Sequence, residues 1–300
     1  MVKYVKTFTP LYLVDKKRED AFTADKKAKE YIDTNSLYKC KYDKNTITYY
    51  PIKEALIELY KNRCAYCETR INRTSTNIEH YRPKKSDSYA NSHRLYYFLA
   101  YSWSNLLPIC NMCNSKKSNR FDIEDETKRI VYKNETLEEL QYMTKQYNEI
   151  EKPYFIHPEY DDYKDMFRFN IKGKIIVYTK VNDSDRMVYT IKHSDLNHSA
   201  LTKRRAKVLH DFVKMKNELL NLYNVGVKYP EEFTNFKISA VSKIDTFFND
   251  DIESENEFIA VKKFIVKKIG LFLLGTDKQF SRYFNAYLNR YIQNIEVYQN

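Results

Sequence analysis

The sequence predicts an α+β protein, mainly helical, with a small β-hairpin. Three observations carry that prediction. Glycine is scarce, at four of 300 residues, whereas average usage of about 7% would supply roughly twenty; an all-β chain with many tight turns would struggle on so few. An apolar stripe at helical spacing begins near Ser199 and includes Leu201, Val208, Leu209, Phe212, Val213, Leu219 and Leu220. In "MFRFNIKGKIIVYT" (166–179), alternating or apolar runs flank Lys172-Gly173, which is a hairpin signal.

Taken in order, residues 1–50 show no clear period and form an N-terminal segment. "IKEALIELYKNR" (52–63) spaces Ile52, Leu56, Leu59 and Tyr60 as a helix and runs into Cys64. The aromatic stretch "HRLYYFLAYSWSNLL" (93–107) reads as a buried helix or a turn-rich packing segment, and 134–150 has weak helical character. After the hairpin, "MVYTIKH" (187–193) is a candidate third strand. Beyond Ser199 the chain reads as helices, punctuated at Tyr229-Pro230 and by "NDDIESEN" (249–256), with two more helices over 257–273 and 279–298. The expected organisation is an N-terminal segment (1–50), a cysteine-centred module (51–125), a linker and hairpin region (126–198) and a helical region (199–300) available for partner docking.

Composition removes several classes. With 28 Tyr and 17 Phe there is ample core material without disulfide staples. No run approaches the roughly 18–20 apolar residues of a membrane span, and the start lacks the apolar core of a signal peptide, so a cytoplasmic protein with no membrane partner is expected. Net charge is +11, unevenly distributed. Residues 61–120 hold eleven Lys/Arg against three Asp/Glu, and residues 121–165 hold thirteen acidic residues against six basic. A basic excess centred on the cysteines points to a polyanion, with nucleic acid the first candidate; a solvated lysine-rich surface is the plainer alternative.

Four of the five cysteines form two Cys-x-x-Cys steps, "CAYC" (64–67) and "CNMC" (110–113), with Cys40 left over as a buried or inert thiol. In a reducing compartment such pairs read as metal or redox sites. Cys64, Cys67, Cys110 and Cys113 suit a tetrahedral structural Zn²⁺, each step supplying two corners. The 42 residues between Cys67 and Cys110 exceed the roughly 15–20 of a compact ribbon, so zinc would clamp the base of a long excursion. An iron–sulfur cluster shares the ligand type; a redox pair would want thioredoxin-like surroundings that the sequence lacks.

The excursion carries "IEHYRP", "NLLPICNMCN" and "KKSNR". These resemble the HNH, or ββα-metal, endonucleases, in the branch clamped by four cysteines. The landmarks occur in order: Glu79-His80, Pro83 three places on, Asn105 five residues before Cys110, and Asn114 after Cys113 with Lys117 following. Glu79 stands where Asp is commoner, Asn114 where His is commoner and Ser118 where Gly is frequent. The resemblance implies a ββα-metal core embedded in a larger helical protein, cleaving phosphodiesters. His80 would take a proton from water, since imidazole titrates near neutrality. Glu79 and Asn114 would give oxygens to a catalytic Mg²⁺ or Mn²⁺. By the same resemblance, Asn105 would bond across the loop backbone and hold His80, while Arg82, Lys84, Lys85, Lys117 and Arg120 would grip phosphates. Adjacent strand residues point to opposite faces, so a bend at Glu79-His80 is expected.

The wider run "YYFLAYSWSNLLPICNMCNSKKSNRF" resembles a narrower group, the PtuB-type nucleases of Septu anti-phage systems and related retron cassettes, over roughly residues 60–125. That resemblance implies an AAA/ABC-type ATPase partner. HNH chemistry needs no 2′-hydroxyl, which makes DNA the default substrate and RNA the alternative. Two other classes stay open: a partner-free homing or restriction nuclease, and a zinc-stabilised nucleic-acid-binding adaptor without turnover. Outside the excursion, His157 with Asp161-Asp162 reads as an element boundary, His193 and His198 as structural, and "TKRRAK" (202–207) as a helix face or a backbone contact.

Overall fold

The computed structural model describes residues 40–42, 47–49, 51–84, 96–136, 138–163, 165–178, 183–248 and 257–297, with backbone alone in 40–42, 47–49, Pro51 and 290–297. The expectations for Lys85 and for "NDDIESEN", and all of residues 1–39, lie outside the described residues. Among them the protein is mainly helical, with three two-stranded sheets. It divides into two compact units: residues up to Arg168 with 177–198, and 169–176 with everything from Ser199 onward. No described helix is long and apolar enough to cross a membrane.

In the first unit, strands β1 (Cys40–Tyr42) and β2 (Ile47–Tyr49) pair antiparallel ahead of helix α1 (Pro51–Leu59). The helix buries Ile52, Leu56 and Ile57, one face at helical spacing. It ends where Lys61 and Asn62 adopt left-handed backbone, turning the chain into the first cysteine step. Strands β3 (Thr76–His80) and β4 (Leu106–Cys110) then pair antiparallel, with Thr76 opposite Cys110 and His80 opposite Leu106. Helix α2 (Asn111–Lys117) follows without a loop and packs on both strands. The aromatic stretch between them forms two single-turn 3₁₀ segments, 97–99 and 103–105, in a turn-rich, buried packing segment.

Helix α3 (Thr144–Glu151) buries Thr144, Tyr147, Asn148 and Glu151 against this layer. Strands β5 (Phe167–Phe169) and β6 (Ile175–Val177) pair across the predicted turn, where Gly173 has φ +72°. The expected strand over 187–193 is instead helix α4 (Ser184–His193). Its β-branched, aromatic composition favours a strand, but Met187 and Thr190 are the buried pair, a spacing of three that only a helix puts on one face. Packing of Met187 with Ile156, Tyr163 and Met166 outweighs local propensity.

In the second unit, helix α5 (Ser199–Lys228) lays its apolar stripe, including Leu201, Leu209, Phe212 and Leu219, against the helices that follow it. These are α6 (Phe233–Phe248), α7 (Ile259–Lys267), α8 (Ile269–Phe272) and α9 (Lys278–Val297). Phe212 is the hub, with Phe247, Phe248, Phe272 and Phe284 ring centroids 5.2–6.0 Å away. Pro230 ends α5's continuation, as the sequence predicts, because it lacks the N–H a helix needs.

Candidate functional site

The two cysteine steps converge. The Sγ atoms of Cys64, Cys67, Cys110 and Cys113 all lie within 4.8 Å of one another. All four are free thiols. Cys67 Sγ and Cys110 Sγ are 3.7 Å apart, close to the edge of about 3.8 Å of a tetrahedron with Zn–S bonds of about 2.3 Å. The first step sits in a tight turn closed by the Arg63–Arg70 bridge, with Glu68 at φ +60°. The second is the junction of β4 and α2. The Ala65 N–H donates to Pro108 O at 2.9 Å, which seats one step on the strand leading to the other. Sulfur also accepts from backbone: Cys110 N–H reaches Cys64 Sγ at 3.4 Å, and Cys113 N–H reaches Cys110 Sγ at 3.5 Å. Burial pushes the Cys64 thiol well up, while hydrogen bonds from the other three cysteines hold the Cys110 thiol well down. Four sulfurs at this spacing, three of them buried, fit zinc.

At the opposite end of β3 lies His80. It is 9% exposed, and its Nε2 is 3.1 Å from Ala100 O. A carbonyl accepts only, so Nε2 carries the proton and Nδ1 is the basic nitrogen. Burial, together with the Lys84 and Lys117 charges, pulls the His80 pKa well below its usual value, so the ring is neutral near pH 7. The expected bend at Glu79-His80 is absent. β3 runs straight through both residues, and alternation sends them to different neighbours: His80 to the 3₁₀ segment through Ala100 O, Glu79 to α2.

There Glu79 meets Lys117. Lys117 Nζ lies 2.5 Å from Glu79 Oε1, with the side chains 0% and 8% exposed. The same ammonium donates to His80 O at 3.3 Å and stands over the Phe155 ring at 5.2 Å. Burial raises the Glu79 pKa, opposed by Lys117 and Lys84. Asn114, half-buried, sits one turn before Lys117 on α2, and residues three apart share a helix face.

Asn105 is fully buried and ties the loop after β3 to the start of β4. Its own C=O accepts from Tyr81 N–H at 2.8 Å, and its side chain bonds both backbone groups of Arg82.

Two residues expected at phosphates are withdrawn from the surface. Arg82 is 0% exposed and pairs with Glu151 at 2.8 Å and Asn148 Oδ1 at 2.8 Å. Its guanidinium lies 5.2–5.8 Å from the rings of Tyr81, Tyr96, Phe121 and Tyr147. Glu151 is saturated by Tyr96 OH and Ile130 N–H besides. A guanidinium paired and enclosed in this way stays in the core, so Arg82 holds the loop rather than a ligand. Lys117 is likewise turned inward to Glu79. Lys84 is half-buried, whereas Arg120 and Lys116 are exposed. His157, also fully buried, accepts Glu159 N–H on Nδ1 at 3.1 Å and packs against Tyr81 and Tyr160, a structural histidine. Residue patterns alone miss Ala100, because a backbone carbonyl leaves no side-chain signature. Glu151 was legible in principle, as the acid sharing α3's buried face with Thr144 and Tyr147.

No protein-family model matches the chain. It is 32% identical over 217 residues to Septu protein PtuB of Bacillus mycoides (strain KBAB4), covering 69% of this chain and 68% of that one. To Septu protein PtuB of Bacillus thuringiensis it is 44% identical over 68 residues, covering 22% and 23%. To Septu protein PtuA of Bacillus mycoides (strain KBAB4) it is 24% identical over 245 residues, covering 79% of this chain but 29% of that one. On the first of these matches, sustained over two thirds of both sequences, the chain belongs to the Septu PtuB family.

Proposed function

We propose that this chain is a metal-dependent HNH endonuclease, an effector of anti-phage defence that hydrolyses nucleic acid phosphodiesters beside an ATPase partner. The observation that carries this reading is His80: neutral, bound through Nε2 to Ala100 O, and placed at the end of a strand–strand–helix unit based on four cysteines. Its Nδ1 is the nitrogen that would take the proton from an attacking water. Asn105 would keep the loop after His80 in place, as its bonds to Arg82 do here.

The Glu79 carboxylate and the Asn114 carbonyl, on β3 and α2, are hard oxygen donors that suit Mg²⁺ or Mn²⁺. When bound, such an ion supplies positive charge to the phosphoryl and leaving oxygens. Zinc on the cysteines has no part in the reaction in this reading; it fixes the first cysteine turn to the junction of β4 and α2. Exposed Arg120, with Lys84 and Lys85, would position the phosphate backbone. DNA is the proposed substrate, since nothing in this chemistry requires a 2′-hydroxyl. The match to part of a larger Septu protein named PtuA supports a second Septu protein as the partner, with the ATPase character implied by the family resemblance.

Cleavage of plasmid DNA, single-stranded DNA and RNA by wild type and His80→Ala, with Mg²⁺, Mn²⁺ or chelator, tests this. Metal-dependent cutting that is lost in the variant is the expected result. An adaptor without turnover would bind equally with and without His80; silence of the zinc-loaded chain in the presence of its active ATPase would favour that reading instead.

A further inference from the structure

A carboxylate that stays charged when buried to the extent of Glu79 needs a cation, because desolvation without one is expensive. Lys117 supplies it at 2.5 Å. The ammonium has two other neighbours, His80 O at 3.3 Å and the Phe155 ring face at 5.2 Å, and both remain available if the carboxylate turns away. In the fold, Lys117 closes α2 and Glu79 sits in the penultimate position of β3, so the pair also joins the two elements that carry the oxygen donors proposed above.

We infer that Lys117 is the resident counter-cation of Glu79, and that a divalent ion reaches this carboxylate only by displacing it. The inference rests on the nuclease reading for the identity of that ion. A single buried negative charge does not hold an ammonium and a dication side by side at low dielectric, where like charges a few ångströms apart repel strongly. The two occupants are therefore alternatives, and the ion pair sets the apparent metal affinity. A carboxylate engaged about nine-tenths of the time lowers apparent affinity about tenfold. The site is then a two-state one: a closed state, with Lys117 on Glu79, and an open state, with the ammonium retained by His80 O and Phe155. Lys117 is in this account a positioning residue, acting on the metal site through Glu79.

The test uses the full, zinc-loaded chain and Mg²⁺, a hard ion that does not compete for thiolates. Thermal unfolding and titration calorimetry are followed across Mg²⁺ concentration for wild type, Lys117→Met and the double variant Glu79→Gln with Lys117→Met. Expected are a lower Tm for Lys117→Met without Mg²⁺, recovery of that Tm by Mg²⁺, and half-saturation at about one-tenth of the wild-type concentration. The double variant, which buries no charge, is expected to show no Mg²⁺ response. A purely structural lysine would lower Tm without creating a Mg²⁺-dependent recovery. Half-saturation in Lys117→Met equal to or weaker than wild type overturns the inference.

If Lys117→Met does not fold without Mg²⁺, refolding is the readout. Recovery only with Mg²⁺ supports displacement; recovery in neither condition, while the double variant folds, overturns it. Failure here is separable from failure of the nuclease reading. Wild type that cuts with Mg²⁺ and loses cutting with His80→Ala leaves the nuclease standing even if the Lys117 variants bind Mg²⁺ no better.

Discussion

Asn105 holds both backbone groups of Arg82: its Oδ1 accepts the Arg82 N–H at 2.8 Å, and its Nδ2 donates to the Arg82 C=O at 3.1 Å. The same Nδ2 reaches Leu99 O at 3.2 Å. One fully buried side chain thus closes the loop two residues beyond His80. Asn105→Ala leaves the Arg82 N–H and C=O unsatisfied in the interior, at about 1–3 kcal/mol for a single such group, while Leu99 O keeps the Ser102 N–H. We expect a loss of about 3 kcal/mol in denaturant unfolding. Asn105→Asp keeps the acceptor but turns a buried carboxylate oxygen toward the Arg82 and Leu99 carbonyls, so it should lose at least as much as Asn105→Ala. Equal stability of Asn105→Ala and wild type would remove this side chain from any positioning role.

Arg82 and Glu151 form a fully buried pair at 2.8 Å. Removing one partner of such a pair costs about 3–5 kcal/mol, and replacing both by apolar residues is often close to neutral. Arg82→Met should therefore be strongly destabilising, and Arg82→Met combined with Glu151→Gln, which removes the second charge and still accepts from Tyr96 OH and Ile130 N–H, should recover much of the loss. If Arg82 instead held phosphates, Arg82→Met would leave Tm unchanged and weaken nucleic acid binding, with a shallower salt dependence.

Zinc should be stoichiometric, at one ion per chain, by metal analysis of the purified protein. Cys113→Ala is expected to lose the ion and to lower Tm, because the thiolates fix the first cysteine turn to the start of α2. Titrating wild type with a mercurial should release zinc in step with thiol modification. A zinc-free wild type with unchanged Tm would sink the structural role.

Ser118 ends α2 at φ +50° and ψ −137°, a region that side-chain-bearing residues enter at a cost of about 1–3 kcal/mol. Its side chain is exposed, so the strain is local to the backbone. Ser118→Gly is expected to raise stability by about 1 kcal/mol in chemical unfolding. Ser118→Ala, which keeps the Cβ, should give no such gain.

How much of this was legible in the sequence varies by residue. Glycine scarcity and the stripe from Leu201 to Leu219 announced a helical C-terminal region, and the Lys172-Gly173 step announced the hairpin turn. The turn's packing did not follow. A Cβ on Gly173 would lie 2.1 Å from Thr202 O and 2.6 Å from Ala206 N, a backbone approach that no periodicity reveals. Residues 187–193 misled, because β-branched composition reports a local preference and Met187 and Thr190 answer to a non-local core.

By itself the sequence determined the cysteine set, since ligand type and paired spacing are chemical facts independent of fold. It also determined which residues could act: an imidazole, a carboxylate and two amides at fixed separations. Tertiary structure decided which way each side chain faces. Arg82 and Lys117 read as surface cations in a basic run, yet both lie at 0% exposure against carboxylates. Burying a charge depends on a partner brought from elsewhere in the chain, 69 residues away for Arg82 and 38 for Lys117. Desolvation is settled only when those segments pack, so no local reading of the sequence contains it.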